Sequence, residues 1–142
     1  MSTLYAKGLQ DALEAVTGVA AASTGTLKLA FMATSYTPNA FTHQYWSDIS
    51  ASIASGTTAQ TLSGAAVNVD SGNTRVEFDT SDISVASQTT TTDKYVIYMD
   101  TGTASTSPLI ACIDIAEGTL APVSGTLALT FNAEGHFAIS VA

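Results

Sequence analysis

Two short runs, Ala65-Ala66-Val67-Asn68-Val69-Asp70 and Thr74-Arg75-Val76-Glu77-Phe78-Asp79, alternate apolar and polar residues on either side of Ser71-Gly72-Asn73. A period of two sends successive side chains to opposite faces of an extended strand, and a short Gly-containing connection between two such runs is the pattern of a β-hairpin. The pairing predicted here sets Val67 and Val69 on the same face as Val76 and Phe78. This stretch is thereby committed to antiparallel sheet.

Strand patterns recur along the chain. Leu27, Leu29 and Phe31 alternate with Lys28, Ala30 and Met32, which predicts a strand with two distinct faces. Residues 47–65, rich in Ser, Ala, Thr and Gly, are expected to form a hydrated extended loop anchored by Ile49, Ile53 and Leu62, with one short strand near Gln60–Ser63. Ile83 and Val85 begin another strand, and the polar run Ser87–Asp93 is expected to be an exposed edge or loop. KYVIYMD (94–100) and PLIACIDI (108–115) are apolar without a break, as in strands buried on both faces. Within the second, Cys112 is assigned to the side of Ile110, opposite Ala111 and Ile113, as a small buried hydrophobe. GTLALTF (125–131) and HFAISV (136–141) flank Asn132-Ala133-Glu134-Gly135 and read as a second hairpin. Only residues 3–16 carry a helical pattern, with Leu4, Tyr5, Leu9, Ala12, Leu13 and Val16 near helical spacing, Thr3 as N-cap and Gly18 beyond the end. The expectation is an all-β, single-domain β-sandwich or jelly-roll-like fold over residues 26–142, of about eight or nine strands. One N-terminal α-helix or arm, with its linker, precedes it over residues 1–25.

Composition narrows the partners. Only 11% of the 142 residues are charged, well below the usual quarter, while 22 Thr and 16 Ser supply polar surface. The net charge is −8, and the four basic residues, Lys7, Lys28, Arg75 and Lys94, are scattered. A phosphate backbone calls for clustered Lys and Arg, so nucleic acid is not an expected partner, and an anionic membrane surface would repel the chain. No run approaches the roughly 18 apolar residues of a bilayer span. The first residues lack the basic start and unbroken apolar core of a secretion signal, so synthesis in a cytoplasm is expected. A single cysteine excludes an intramolecular disulfide.

Catalytic machinery, cofactors and metals are not expected. His43 has no partner carboxylate at ligand spacing, one Cys and the two distant histidines, His43 and His136, do not make a zinc site, and a triad drawn among 38 hydroxyl residues carries no weight. Asp79 and Asp82 lack the further acidic ligands of a calcium loop and read as turn-capping residues. The residues with most to offer a partner lie in one stretch: Tyr36 and Pro38 in a turn, then Phe41, Tyr45 and the sole tryptophan, Trp46. With Leu4 and Tyr5 of the predicted helix, these are the candidate subunit or partner contacts.

Several segments together, KLAFMATSYTPNAFTHQYWSDIS (28–50), VDSGNTRVEFD (69–79), KYVIYMDTGTASTSPLIACIDI (94–115) and TLALTFNAEGHFAIS (126–140), resemble a family of small virion proteins of tailed bacteriophages and prophages similar to capsid decoration, or cement, proteins. The most specific parts are Ser35–Asn39 with Thr42-His43, Asp100-Thr101-Gly102 and Ser107-Pro108-Leu109-Ile110. The chain departs from the family pattern at Ala20–Ser23, richer in alanine, and at Phe41, where a small or acidic residue is commoner. The resemblance implies a non-enzymatic β-rich protein, expected as a homotrimer, on the virion capsid surface. It would clamp neighbouring copies of the major capsid protein against internal genome pressure. A tail- or fibre-associated module binding host carbohydrate is the alternative, with Tyr36, Phe41, Tyr45 and Trp46 as stacking platforms. A periplasmic or secreted carbohydrate-binding domain is disfavoured by the lack of a secretion signal.

Overall fold

The computed structural model describes residues 3–4, 25–70, 72–73, 75–131 and 135–140. Among them the strands are β1 (Thr3–Leu4), β2 (Thr26–Met32), β3 (Gln60–Thr61), β4 (Ala66–Asp70), β5 (Arg75–Asp79), β6 (Ile83–Gln88), β7 (Lys94–Asp100), β8 (Leu109–Asp114), β9 (Gly125–Leu129) and β10 (Phe137–Ser140). The helix described is α1 (Trp46–Ile49), and 3-10 turns occupy Ser50–Ser52 and Ala104–Thr106. The fold is all-β, built from antiparallel sheets. A five-stranded sheet runs β1-β8-β7-β2-β3, a three-stranded sheet β10-β5-β4, and β6 pairs with β9.

The alternation in β2 explains how the large sheet is covered. Leu29 and Phe31 enter one apolar cluster, and Ala30 and Met32 enter another on the opposite face. The unbroken apolar run of β7 divides the same way, with Tyr95 and Ile97 on the first face and Val96 and Tyr98 on the second. Such strands need cover on both sides. The first cluster is closed by Ile83 of β6, by Leu127 and Leu129 of β9, and by Phe78 and Phe137 of β5 and β10. The second is closed by Tyr36, Trp46, Ile49 and Ile53 from the connection between β2 and β3. That connection is therefore a lid over apolar surface: Ile49 and Ile53 turn onto the sheet as the anchors expected of residues 47–65, joined by Tyr36 and Trp46, while Phe41 points outward.

The β4–β5 hairpin forms as predicted, in the register Asp70↔Arg75, Val69↔Val76, Val67↔Phe78. Four other expectations are corrected. Thr3 and Leu4 do not begin a helix: they form β1, pairing with Cys112 and Ala111. The outer edge of β8 offers unpaired backbone donors and acceptors, which an extended segment satisfies and a helix does not. Residues 5–24, which would carry the rest of that helix and the arm, lie outside the described residues, and the one described helix sits mid-chain.

The last two strands do not form a hairpin with each other. β9 pairs with β6, and β10 pairs with β5 in the register Phe137↔Phe78 through Ser140↔Arg75. The two strands sit in different sheets because Gly135 (φ 68°) and His136 bring the chain across Phe78, whose carbonyl accepts the His136 N–H at 2.8 Å.

Cys112 does not share a side with Ile110. Tyr98 pairs with Leu109 while Ile97 pairs with Ala111, so Ile110 is the extra residue of a β-bulge. The slip sends Ile110 to the first cluster with Ala111 and Ile113, leaving Leu109 and Cys112 in the second.

The polar run Ser87–Asp93 is partly interior. Thr92 is fully buried, its hydroxyl 2.7 Å from the carbonyl oxygen of Met32 and 2.9 Å from that of Lys94, and its backbone bridges to Leu120.

Candidate functional site

The aromatic stretch after β2 is held by its own polar groups. Pro38 fixes φ just ahead of a turn, in which the Asn39 side-chain oxygen accepts the N–H groups of Phe41 at 3.0 Å and Thr42 at 3.2 Å. His43 closes the turn: its N–H donates to the Asn39 carbonyl at 3.0 Å, and its Nδ1 accepts the Asn39 N–H at 3.2 Å. Because a backbone N–H points at Nδ1, that nitrogen is the acceptor, and the neutral ring carries its proton on Nε2. The Tyr36 hydroxyl also lies 3.2 Å from Nδ1, and the two rings stack with centroids 5.7 Å apart.

The start of helix α1 is then capped by Asp48, whose Oδ2 accepts the N–H groups of Gln44 and Tyr45, both at 2.9 Å. The Tyr45 bond above all, with that from Gln44 and the nearby His43, holds the carboxyl below its ordinary range despite some desolvation. The stretch is tied to the start of β8 by backbone bonds: Trp46 N–H to the Ser107 carbonyl at 2.8 Å and Leu109 N–H to the Gln44 carbonyl at 2.9 Å. The Trp46 indole lies flat on Tyr98, centroids 4.4 Å apart at 2°. Burial, with the Asp100 charge adding, pushes the Tyr98 hydroxyl up to about 12. Asp100 pairs with Lys28 at 2.6 Å and accepts the Gly102 N–H at 2.9 Å, and these bonds hold its carboxyl low. Buried Ser107 accepts the Thr101 N–H at 3.0 Å and donates to the Thr103 carbonyl at 2.9 Å, which fixes the 101–107 loop against the corner.

The predicted contact residues divide sharply. Tyr36 is only 6% exposed and belongs to the second cluster, whereas Pro38, Tyr45 and Trp46 are half-buried. Phe41 is 86% exposed at the tip of the turn. Leu4 sits on the β8 edge opposite Ala111, and Tyr5 lies outside the described residues. Asp79 accepts the Thr80 N–H at 2.8 Å within the turn, whereas Asp82 accepts the N–H of Phe131, 49 positions away, at 2.9 Å and so ties the turn to the segment after β9.

Two features were not legible in the sequence. His136 is buried with Nε2 2.7 Å from the Thr80 hydroxyl and Nδ1 3.1 Å from the Tyr95 hydroxyl, partners separated from it by 56 and 41 positions. Phe131 packs on the ring with centroids 4.0 Å apart, and loss of hydration lowers the imidazole pKa to about 4, against a smaller opposing pull from Asp79. A histidine of that pKa, sealed from solvent, is a neutral bolt joining β5, β7 and β10 rather than a general base. The second feature is a surface pocket of about 410 Å³ lined by Ala33, Thr34, Ser55, Thr90, Ala121 and Val123 among others. It is assembled from four loops that only the tertiary fold brings together. Among the described residues no group of three or more His, Cys, Asp or Glu is placed to hold a metal ion, and no helix is long and apolar enough to cross a membrane.

Comparison of the chain with protein-family models, with curated proteins and with solved structures returned no match.

Proposed function

We propose that this protein is a structural virion component of a tailed bacteriophage or prophage, a capsid decoration protein. It binds the outer surface of the major capsid shell as a homotrimer and stabilises it. In this reading the sheets form a β-sandwich of jelly-roll type, with the five-stranded sheet as one leaf and the two smaller sheets as the other. The observation that carries the reading is the convergence of the segments bearing the resemblance. Residues 44–46, which directly follow Ser35–Asn39 and Thr42-His43, are bound to the 107–109 segment through the Tyr45–Pro108 bridge and the Trp46–Ser107 and Leu109–Gln44 backbone bonds; Thr101 donates its N–H to the Ser107 hydroxyl, and Tyr36 shares an apolar cluster with Leu109. Segments far apart in sequence that are tied into one rigid corner provide a preorganised contact surface, which lowers the ordering cost of docking.

The carbohydrate alternative requires free aromatic faces. Tyr36 is buried and one face of Trp46 is covered by Tyr98, so two of its four platforms are compromised. Electron microscopy of the virion tests the proposal: density for this chain is expected on the head, and density on the tail with none on the head overturns it.

A further inference from the structure

Two large apolar side chains are prominently exposed among the described residues, Phe41 at 86% and Val123 at 80%. Phe41 crowns the Asn39–His43 turn, while Val123 lines the 410 Å³ pocket. Isolated surface hydrophobes are ordinary, but this phenyl ring is held out by structure. Asn39 Oδ1 caps the Phe41 and Thr42 N–H groups, and His43 Nδ1 takes the Asn39 N–H. The turn is ordered before it meets anything, and Phe41 does not fill the pocket of its own chain.

The pocket is of a size to accept a phenyl ring with some flanking backbone. Its lining is uncharged throughout, as is the loop from Asn39 to Thr42, so the two surfaces can meet without stripping water from a charge. In its wall, Thr90 is 7% exposed and its hydroxyl has no hydrogen-bond partner among the described residues.

We propose that Phe41 of one copy seats in the Thr34–Ser55–Thr90–Val123 pocket of a second copy, making a head-to-tail contact that closes into a ring. Knob and pocket are different patches, so the contact is heterologous, and such contacts either close by rotation or run on as filaments. This deepens the homotrimer part of the reading above and rests on it, while using nothing of the capsid.

Analytical ultracentrifugation of the free full-length protein tests it. The wild type is expected to form a closed oligomer that weakens at least about tenfold in Phe41→Asp, as loss of a central aromatic anchor does. Ser55→Trp, which fills the pocket from an exposed position, should weaken it equally, with circular dichroism unchanged in both. Mixing the two variants is the sharper measurement. Phe41→Asp keeps a working pocket and Ser55→Trp a working knob, so a heterodimer and nothing larger should form. Three results overturn the proposal: a wild type monomeric at all concentrations, an oligomer indifferent to both variants, or variants that fail to complement each other. If Phe41→Asp leaves the oligomer intact but abolishes binding to purified capsids, the knob faces the shell protein instead; the self-contact is then wrong and the decoration reading stands.

Discussion

An imidazole enclosed by Phe78, Tyr95 and Phe131 loses the water its cationic form needs, and His136 accordingly titrates near 4 rather than its ordinary 6.5. As pH falls through this window the unfolded chain takes up a proton that the folded chain refuses. The stability this group contributes is therefore complete above pH 6.5 and lost by about pH 4. The span corresponds to roughly 3 kcal/mol at 1.36 kcal/mol per pH unit. Urea denaturation at pH 7.0 and 4.5 measures it. His136→Gln should cost roughly 1–3 kcal/mol at neutral pH, by unpairing the Thr80 and Tyr95 hydroxyls, and should flatten the pH slope. A variant with the wild-type slope would assign the acid sensitivity to other groups. His43, by contrast, sits in an open turn beside Tyr36, and its contribution is the shape of the loop under Phe41.

At the scale of elements, legibility follows the distance over which partners find each other. The β4–β5 hairpin was readable because both strands and their turn lie within fifteen consecutive residues. The two-faced burial of β2 and β7 was readable because it is written in alternation and in the absence of polar breaks. β9 and β10 were misread as a hairpin because their true partners, β6 and β5, are chosen by the core, and proximity in sequence carried no information about that. The Ile110 bulge inverts one end of β8, and no residue type there announces it. In the candidate site, the aromatic stretch was legible as a cluster, yet only the fold could separate buried Tyr36 from exposed Phe41. The pocket across four loops had no local signature at all. The crossing into β10 depends on Gly135. A Cβ there would press on the Phe78 carbonyl and stand 2.8 Å from the Cα and Cβ of Asp79, in a backbone conformation that L-residues avoid. Both residues belong to β5, which is paired on both edges and has little room to give way, so Gly135→Ala should lose at least about 2 kcal/mol in denaturant melts. It should also release His136 from burial, visible as an imidazole pKa rising toward 6.5 by NMR titration. A near-neutral effect would mean that β10 docks without that close approach.

For the whole molecule, charge sets the conditions under which copies can gather. Every copy carries −8 with only four basic residues, and two of those, Lys28 and Lys94, are engaged with Asp100 and Asp93 within the chain. Bringing like-charged copies together therefore opposes association, while the surfaces proposed to meet are neutral and gain only by burying apolar area. Salt shortens the reach of the repulsion, from about 10 Å at 0.1 M to about 3 Å at 1 M, and leaves apolar burial intact. Self-association should then strengthen as sodium chloride rises from 0.05 to 0.5 M, the reverse of an interface built on ion pairs. Sedimentation equilibrium across that range decides the matter. A constant that falls with salt would require cross-chain ion pairs from the few basic residues, and would place the contact away from the uncharged knob and pocket.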